Sequence, residues 1–299
     1  MQVAPQRQGI FYGWIIVATS LVIIALGVGL LFSLGVFMEP LESTLGWSRE
    51  QIARANFYGW LAFGIFSFGF GMLSDHIGTR QVVLLGGAML GVGMLALSRL
   101  HALWHLYVFY GMLVGGGVGA FTVPLTSTVT RWFTKRRGLV VAIANCGIGV
   151  GGMLFAPLTR SLVLAVGWRA TFLFYGLLVW AVVLPLALLI RNRPQDIGLL
   201  PYGSTASELV SAPATASRVY TFGQALATPV FWIIASAHFL CCTSHSGPIF
   251  HMVSALIDTG VDKLAAAAVF AIASLSSISG RVGTGLLADR FGSKTVLII

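Results

Sequence analysis

The run Gly71-Met72-Leu73-Ser74-Asp75-His76-Ile77-Gly78-Thr79-Arg80 returns late in the chain as Gly285-Leu286-Leu287-Ala288-Asp289-Arg290-Phe291-Gly292-Ser293-Lys294. Each copy joins one long apolar segment to the next, so the chain carries a duplication. Six apolar segments separate the two copies, an even number that returns both polar loops to the same face of a bilayer. Two halves of six spans are implied, the second incomplete.

The solvent for most of this surface is hydrocarbon. Hydrophobic residues make up 57% of the chain and charged residues 9%, with mean hydropathy +0.90, against about 25% charged residues in an ordinary soluble domain. A helix needs about 20 mostly apolar residues to cross a bilayer. Such segments run over residues 13–38, 51–73, 81–98, 103–126, 139–163, 171–190, 229–256 and 264–287, and a ninth begins near Thr295. The expected class is an all-α integral membrane protein: a six-helix bundle over 1–190, a cytoplasmic linker over 191–224 and an incomplete second bundle over 225–299. The first segment is too long for a signal-peptide core and has no small-residue cleavage site behind it, so it reads as a retained span. Cys146, Cys241 and Cys242 all fall inside apolar segments and suggest packing rather than a disulfide framework.

A formal charge of +9 could point to nucleic acid, but the cations are dispersed over short loops. Topology accounts for them better. With the N-terminus inside, Arg7, Arg80, Arg131, Lys135, Arg136, Arg137, Arg191, Arg193, Arg218, Arg290 and Lys294 lie on the cytoplasmic side, against Arg49, Arg54, Arg99, Arg160, Arg169 and Lys263 outside. This is the positive-inside bias of short loops, and it predicts a multi-pass protein of the plasma (inner) membrane with Lys135, Arg136 and Arg137 as cytoplasmic anchors. Glycines four apart, as at Gly111, Gly115 and Gly119, place small residues on one helix face and predict close helix packing.

Within each repeated loop, the first glycine (Gly71, Gly285) sits where two helices can close up, and the second (Gly78, Gly292) suits a turn of positive φ. The carboxylate between them (Asp75, Asp289) can bond free N–H groups at the start of a neighbouring helix and pair with a nearby cation. Together with Arg80 and Lys294, these residues form a candidate gate that holds two helix ends together in one conformation and releases them in another.

The pattern G-x-L-[SA]-D-x-[IF]-G-x-[RK], present twice, resembles the loop signature of the major facilitator superfamily. Trp132-Phe133-Thr134-Lys135-Arg136-Arg137-Gly138, Gly167-Trp168-Arg169, Arg193-Pro194-Gln195-Asp196-Ile197-Gly198-Leu199, Gly13-Trp14 and Gly46-Trp47-Ser48 are similar to the branch containing monocarboxylate porters and oxalate/formate antiporters. The resemblance implies twelve helices in two related bundles, substrate near the midplane between them, and a rocking motion that exposes it to alternate sides. The chain departs from the animal monocarboxylate porters at Ser277, where they carry an acid, and at Phe32, where they carry a lysine. Their proton-coupling scheme therefore does not transfer.

Arg281 is the principal candidate for chemistry. An arginine near a helix centre costs about 2.5–3.5 kcal/mol even on lenient insertion scales and marks a cavity or a partner. Its planar fork matches a carboxylate, and an arginine at the matching place of the eighth span is associated with the substrate anion in the family it resembles. The competing reading has Arg281 snorkelling toward the charge cluster around Asp289. Ser33, Thr122, Thr126, Ser127 and His245 are the expected remaining cavity residues, and His245 or His251 would titrate with substrate. His238, Cys241, Cys242 and His245 share one helix face, but one straight helix cannot wrap four ligands around a metal, so no metal is expected. Gly147-Ile148-Gly149-Val150-Gly151-Gly152 satisfies G-x-G-x-x-G inside an apolar span with no preceding strand, which rejects a dinucleotide site.

The expected function is secondary transport of a small organic anion, a mono- or dicarboxylate, by proton symport or anion exchange. No enzymatic activity, cofactor or nucleic-acid partner is expected. Two readings compete: transport of an uncharged or drug-like solute, and a non-transporting membrane fragment or partner.

Overall fold

The computed structural model describes residues 11–204 and 222–298, with the side chains of Phe222, His245, Phe250, Ser293, Leu297 and Ile298 outside the description. Arg7, Arg218 and half of the predicted linker therefore lie outside the described residues. The described chain is all-helical. Six of its helical stretches are long and apolar enough to cross a bilayer. The predicted count of eight differs because one 52-residue helix holds two predicted spans and the predicted span over 229–256 is not among the six.

The first span is longer than the predicted 13–38 and is broken once. Helix α1 (Tyr12–Phe32) gives way at Ser33 to α2 (Leu34–Leu45), which ends at Gly46 in the left-handed conformation, φ 69°. At the break the Tyr110 hydroxyl donates to the Leu31 carbonyl. Pro40 sits inside α2 and brings no N–H to the carbonyl four residues back, that of Val36. The side chain of Arg160 donates to that carbonyl instead, at 3.3 Å.

Helix α3 (Arg49–Ile77) starts with a capping box: Gln51 N donates to Ser48 Oγ and Ser48 N to Gln51 Oε1, satisfying two N–H groups that the first helical turn leaves free. One face of α3 carries Phe57, Leu61, Ile65 and Phe68, all exposed at helical spacing, as a lipid-facing stripe requires. The opposite face, with Ala55, Gly59 and Ala62, is buried. After α4 (Thr79–Leu97), a short α5 (Leu103–Leu106) runs through a π-helical stretch (Tyr107–Val114) into α6 (Gly115–Trp132). Here the glycine stripe has its use. A methyl group on Gly115 would collide with the Gly59 carbonyl, and one on Gly119 would lie 2.9 Å from Ser67 N, so only hydrogen at these positions lets α6 approach α3 this closely.

Helix α7 (Arg137–Leu188) turns at Gly167, φ 80°, which divides it into arms 137–166 and 168–188 matching the fifth and sixth predicted spans. The second arm packs into the same core as α1 and α2; the rings of Phe37 and Phe172 stack with centroids 4.1 Å apart. Beyond a 3₁₀ turn (Pro194–Ile197) come α8 (Phe222–Leu226), α9 (Pro229–Asp258), α10 (Lys263–Phe291) and α11 (Ser293–Ile298).

Long-range contacts sort the polar residues to two ends. At one end Arg131 pairs with Asp75, Trp132 Nε1 donates to Arg191 O, Tyr12 donates to Leu189 O, and Thr134 N donates to Tyr202 O. At the other, Glu39, Glu42 and Arg49 meet Arg160, Asp258 and Lys263. This is the division the basic bias predicts.

Candidate substrate cavity and gating loops

Arg281 lies three turns before the end of α10, on the side that packs against the first arm of α7. It lines a cavity of about 510 Å³ together with Gly138, Val141, Ala142, Asn145, Thr284, Gly285, Ala288 and Val296. Its Nε is buried and has no hydrogen-bond partner among the described residues. A buried N–H left unpaired costs free energy of about 1–3 kcal/mol, so an acceptor that no described group supplies would be favoured there. The walls are mostly small and apolar. Asn145, from the opposite helix, is the other strongly polar lining group.

The predicted cavity residues divide. Thr126 connects to this wall, since Asn145 Nδ2 reaches its Oγ1 at 3.3 Å and the Val141 carbonyl at 3.0 Å. The Thr122 hydroxyl, one turn away, is buried without a partner among the described residues. Ser33 is 2% exposed, and its hydroxyl donates to Leu30 O at 2.7 Å, at the break between α1 and α2. Ser127 is half-buried and is not among the lining residues of the Arg281 cavity. The His245 side chain lies outside the described residues, and His251 is exposed on α9. On the same helix Cys242 Sγ lies 3.5 Å from His238 Nε2, and no group of three or more metal-binding side chains occurs among the described residues.

The two loop copies share their backbone and differ in their partners. Gly78 and Gly292 have φ of 91° and 84°, a region that a side chain resists. Asp289 reaches across to the first residues of α7: its two carboxylate oxygens accept from Gly138 N at 2.7 Å and Leu139 N at 2.8 Å. Those N–H groups have no partner within their own helix, and the positive end of the helix dipole faces the carboxylate. Gly285 supplies the close approach, because a methyl group there would lie 2.9 Å from the Gly138 carbonyl. Asp75 instead pairs with Arg131 at 2.7 Å within its own bundle, rather than with Arg80. The next helix start is capped from elsewhere: Thr79 N donates to Asn192 Oδ1 at 2.8 Å, and the Asn192 amide occupies the space a side chain on Gly78 would need.

Asn145, Asn192 and the pair Arg160 with Glu39 were not singled out by sequence reasoning. Asn145 had a signal, an amide within an apolar span, where polar groups mark function more often than packing. Away from the cavity, Asp262 opens α10 by accepting from Leu264 N and Ala265 N. These backbone donors, Ala265 foremost, hold its carboxyl below the usual carboxylate range.

The sequence model of the Major Facilitator Superfamily matches residues 9–299. The chain is a member of the major facilitator superfamily. Among curated relatives of this major facilitator chain, monocarboxylate transporter 13 of Rattus norvegicus is 31% identical over 283 residues, covering 93% of the chain and 61% of the relative. The oxalate:formate antiporter of Oxalobacter formigenes is 26% identical over 226 residues, covering 76% of the chain and 51% of the relative. The fold matches the crystal structure of a bacterial homolog of the human lysosomal transporter Spinster with TM-score 0.69 at 20% identity, over 96% of the chain and 64% of that structure. The chain spans about three fifths of the length of the first curated relatives it matches.

Proposed function

We propose that this multi-pass membrane protein belongs to a secondary transporter of small organic anions, mono- or dicarboxylates, working by alternating access with proton symport or anion exchange. The observation that carries this reading is Arg281: a guanidinium at the junction of two bundles, facing a cavity, with a buried Nε that no described protein group accepts from. A carboxylate offers two oxygens to such a fork. The relatives named for monocarboxylates and for oxalate and formate support the same chemistry. The bundle division 1–190, 191–224 and 225–299, the absence of enzymatic chemistry and an inner-membrane location with a cytoplasmic N-terminus belong to this reading.

The test is uptake into reconstituted vesicles across a panel of mono- and dicarboxylates and uncharged solutes of similar size. Saturable, carboxylate-selective uptake is expected. Equal uptake of uncharged solutes would favour the second cargo class.

The orientation has its own check. Impermeant thiol reagents should reach single cysteines in the 131–137 loop only from the cytoplasmic side, and labelling from outside would reverse the topology. Asp289 should act as a cytoplasmic clasp. Asp289→Asn keeps one acceptor oxygen but removes the charge facing the start of α7, so it is expected to shift the balance of inward-open and outward-open states, with a smaller shift for Asp75→Asn, whose partner Arg131 lies in its own bundle. Interspin distances across the cytoplasmic face that stay unchanged in Asp289→Asn would remove the gating role.

A further inference from the structure

At the end opposite Asp75 and Asp289, two ion-pair chains of reversed polarity join the bundles. In one, Glu39 of α2 receives Arg160 Nη1 at 2.9 Å and, from the other bundle, Lys263 Nζ at 3.0 Å. In the other, Arg49 of α3 bonds Glu42 at 2.8 Å and holds both oxygens of Asp258 across the bundle boundary. Lys263 and Asp258 flank a single connection, that between α9 and α10. Behind it, Val36 and Ala156 of the first bundle pack with Val253, Ala266 and Phe270 of the second, and the rings of Phe32 and Phe270 meet with centroids 5.9 Å apart.

We propose that the Asp258–Lys263 connection is the outer latch of the transport cycle, docking one cation and one anion onto charged seats that the first bundle keeps whether the latch is open or closed. Each seat is assembled without the second bundle. Arg160 is 1% exposed and is tied to Glu39 and to the Val36 carbonyl that Pro40 leaves free, so leaving Glu39 would strand a buried charge. Glu39 therefore stays with Arg160, and Lys263 is the partner that departs. In the same way Arg49 retains Glu42 when Asp258 leaves. The departing groups are exposed, Lys263 by 43% and Asp258 by 50%, which makes each contact weak and reversible. Reversed polarity fixes the register, because the connection cannot slide or turn without setting like charges together. Closing the latch brings the apolar seam together and shuts the outer path.

The latch requires alternating access but no particular cargo, so it is tested without substrate. Spin labels at Ser43→Cys and Ala265→Cys, both exposed and on opposite bundles, report the outer gap in nanodiscs after Cys146, Cys241 and Cys242 are replaced by serine. Asp258→Lys combined with Lys263→Glu keeps the net charge and sets like charges at both contacts. The ratio of short-distance to long-distance populations is expected to fall about five-fold or more. Exchanging Glu50 and Arg54, an exposed pair within α3, should leave it unchanged. If the reversed variant fails to fold, Asp258→Asn with Lys263→Gln must shift the ratio in the same direction. Distance distributions identical to the parent's in the folded variant overturn the latch, and a failure of carboxylate uptake would leave this result untouched.

Discussion

Arg281→Gln is expected to abolish carboxylate binding, and Arg281→Lys to weaken it about 10- to 100-fold while the protein stays folded. The size follows from what each change removes. Lysine keeps the positive charge but replaces a planar fork by a single ammonium, losing one charge-assisted hydrogen bond worth about 1.5–3 kcal/mol, and each 1.4 kcal/mol is about ten-fold in affinity. Glutamine loses the charge as well. Folding should survive because the Arg281 Nε has no hydrogen-bond partner among the described residues, and Thr284 bonds the Arg281 carbonyl, not its side chain. Affinity in vesicles, measured beside a melting curve, separates a lost site from a lost fold. Unchanged carboxylate affinity in both variants would assign Arg281 to structure and favour an uncharged cargo.

The second large effect concerns stability. Gly115→Ala is expected to destabilise the first bundle by about 1–3 kcal/mol, the usual range for overpacking a closed interface, and Gly115→Val by more. The added methyl group meets the Gly59 backbone, which has no rotamer to change, so α6 must move off α3. Gly64→Ala is the matched control: it lies on the exposed face of α3 with nothing within 4 Å of the added group. It should be neutral or slightly stabilising, since alanine is the better helix former by about 0.5–1 kcal/mol. Thermal unfolding in detergent distinguishes the two, and equal melting temperatures would show that α3 and α6 are not held this closely.

Much of the fold was legible because its determinants are local. Apolar length placed the helices, the Gly71–Arg80 echo revealed the duplication, and Gly78 and Gly292 took the positive φ their motif requires. The carboxylates of the loops were legible as partners for helix-end N–H groups or a nearby cation, but which of the two each would take, and from where, was not. Asp289 meets Gly138, 151 residues away in sequence, and Asp75 turned to Arg131 because that cation hangs from the end of a neighbouring helix. Cavity residues are harder to read: a hydroxyl in an apolar span can serve a cavity or its own backbone, and the bond of Ser33 to Leu30 O belongs to a break after Phe32 that the sequence pattern does not mark. Arg160 was counted as one of the outer loop charges, yet it is among the most buried side chains of the molecule. The clue was Pro40, which frees a carbonyl four residues earlier, although which cation collects that carbonyl is a matter of tertiary packing.

The π-helical stretch Tyr107–Val114 has a consequence for how the first bundle tolerates change in length. A π turn accommodates one residue more than an α turn, and each residue of an α-helix advances the chain by about 100°. A deletion in an ordinary α stretch would therefore rotate one side of the helix against the other by that angle, whereas a deletion within Tyr107–Val114 lets it relax to α and leaves the flanking turns on their faces, moving only the residues inside it. Gly115 and Gly119 would keep their seat on α3 and Thr126 its place beside Asn145, whereas Tyr110 would swing away from the Leu31 carbonyl. The wall of the cavity would survive, and the first helix would lose the brace at its midpoint, leaving it free to straighten or bend independently of the bundle around it.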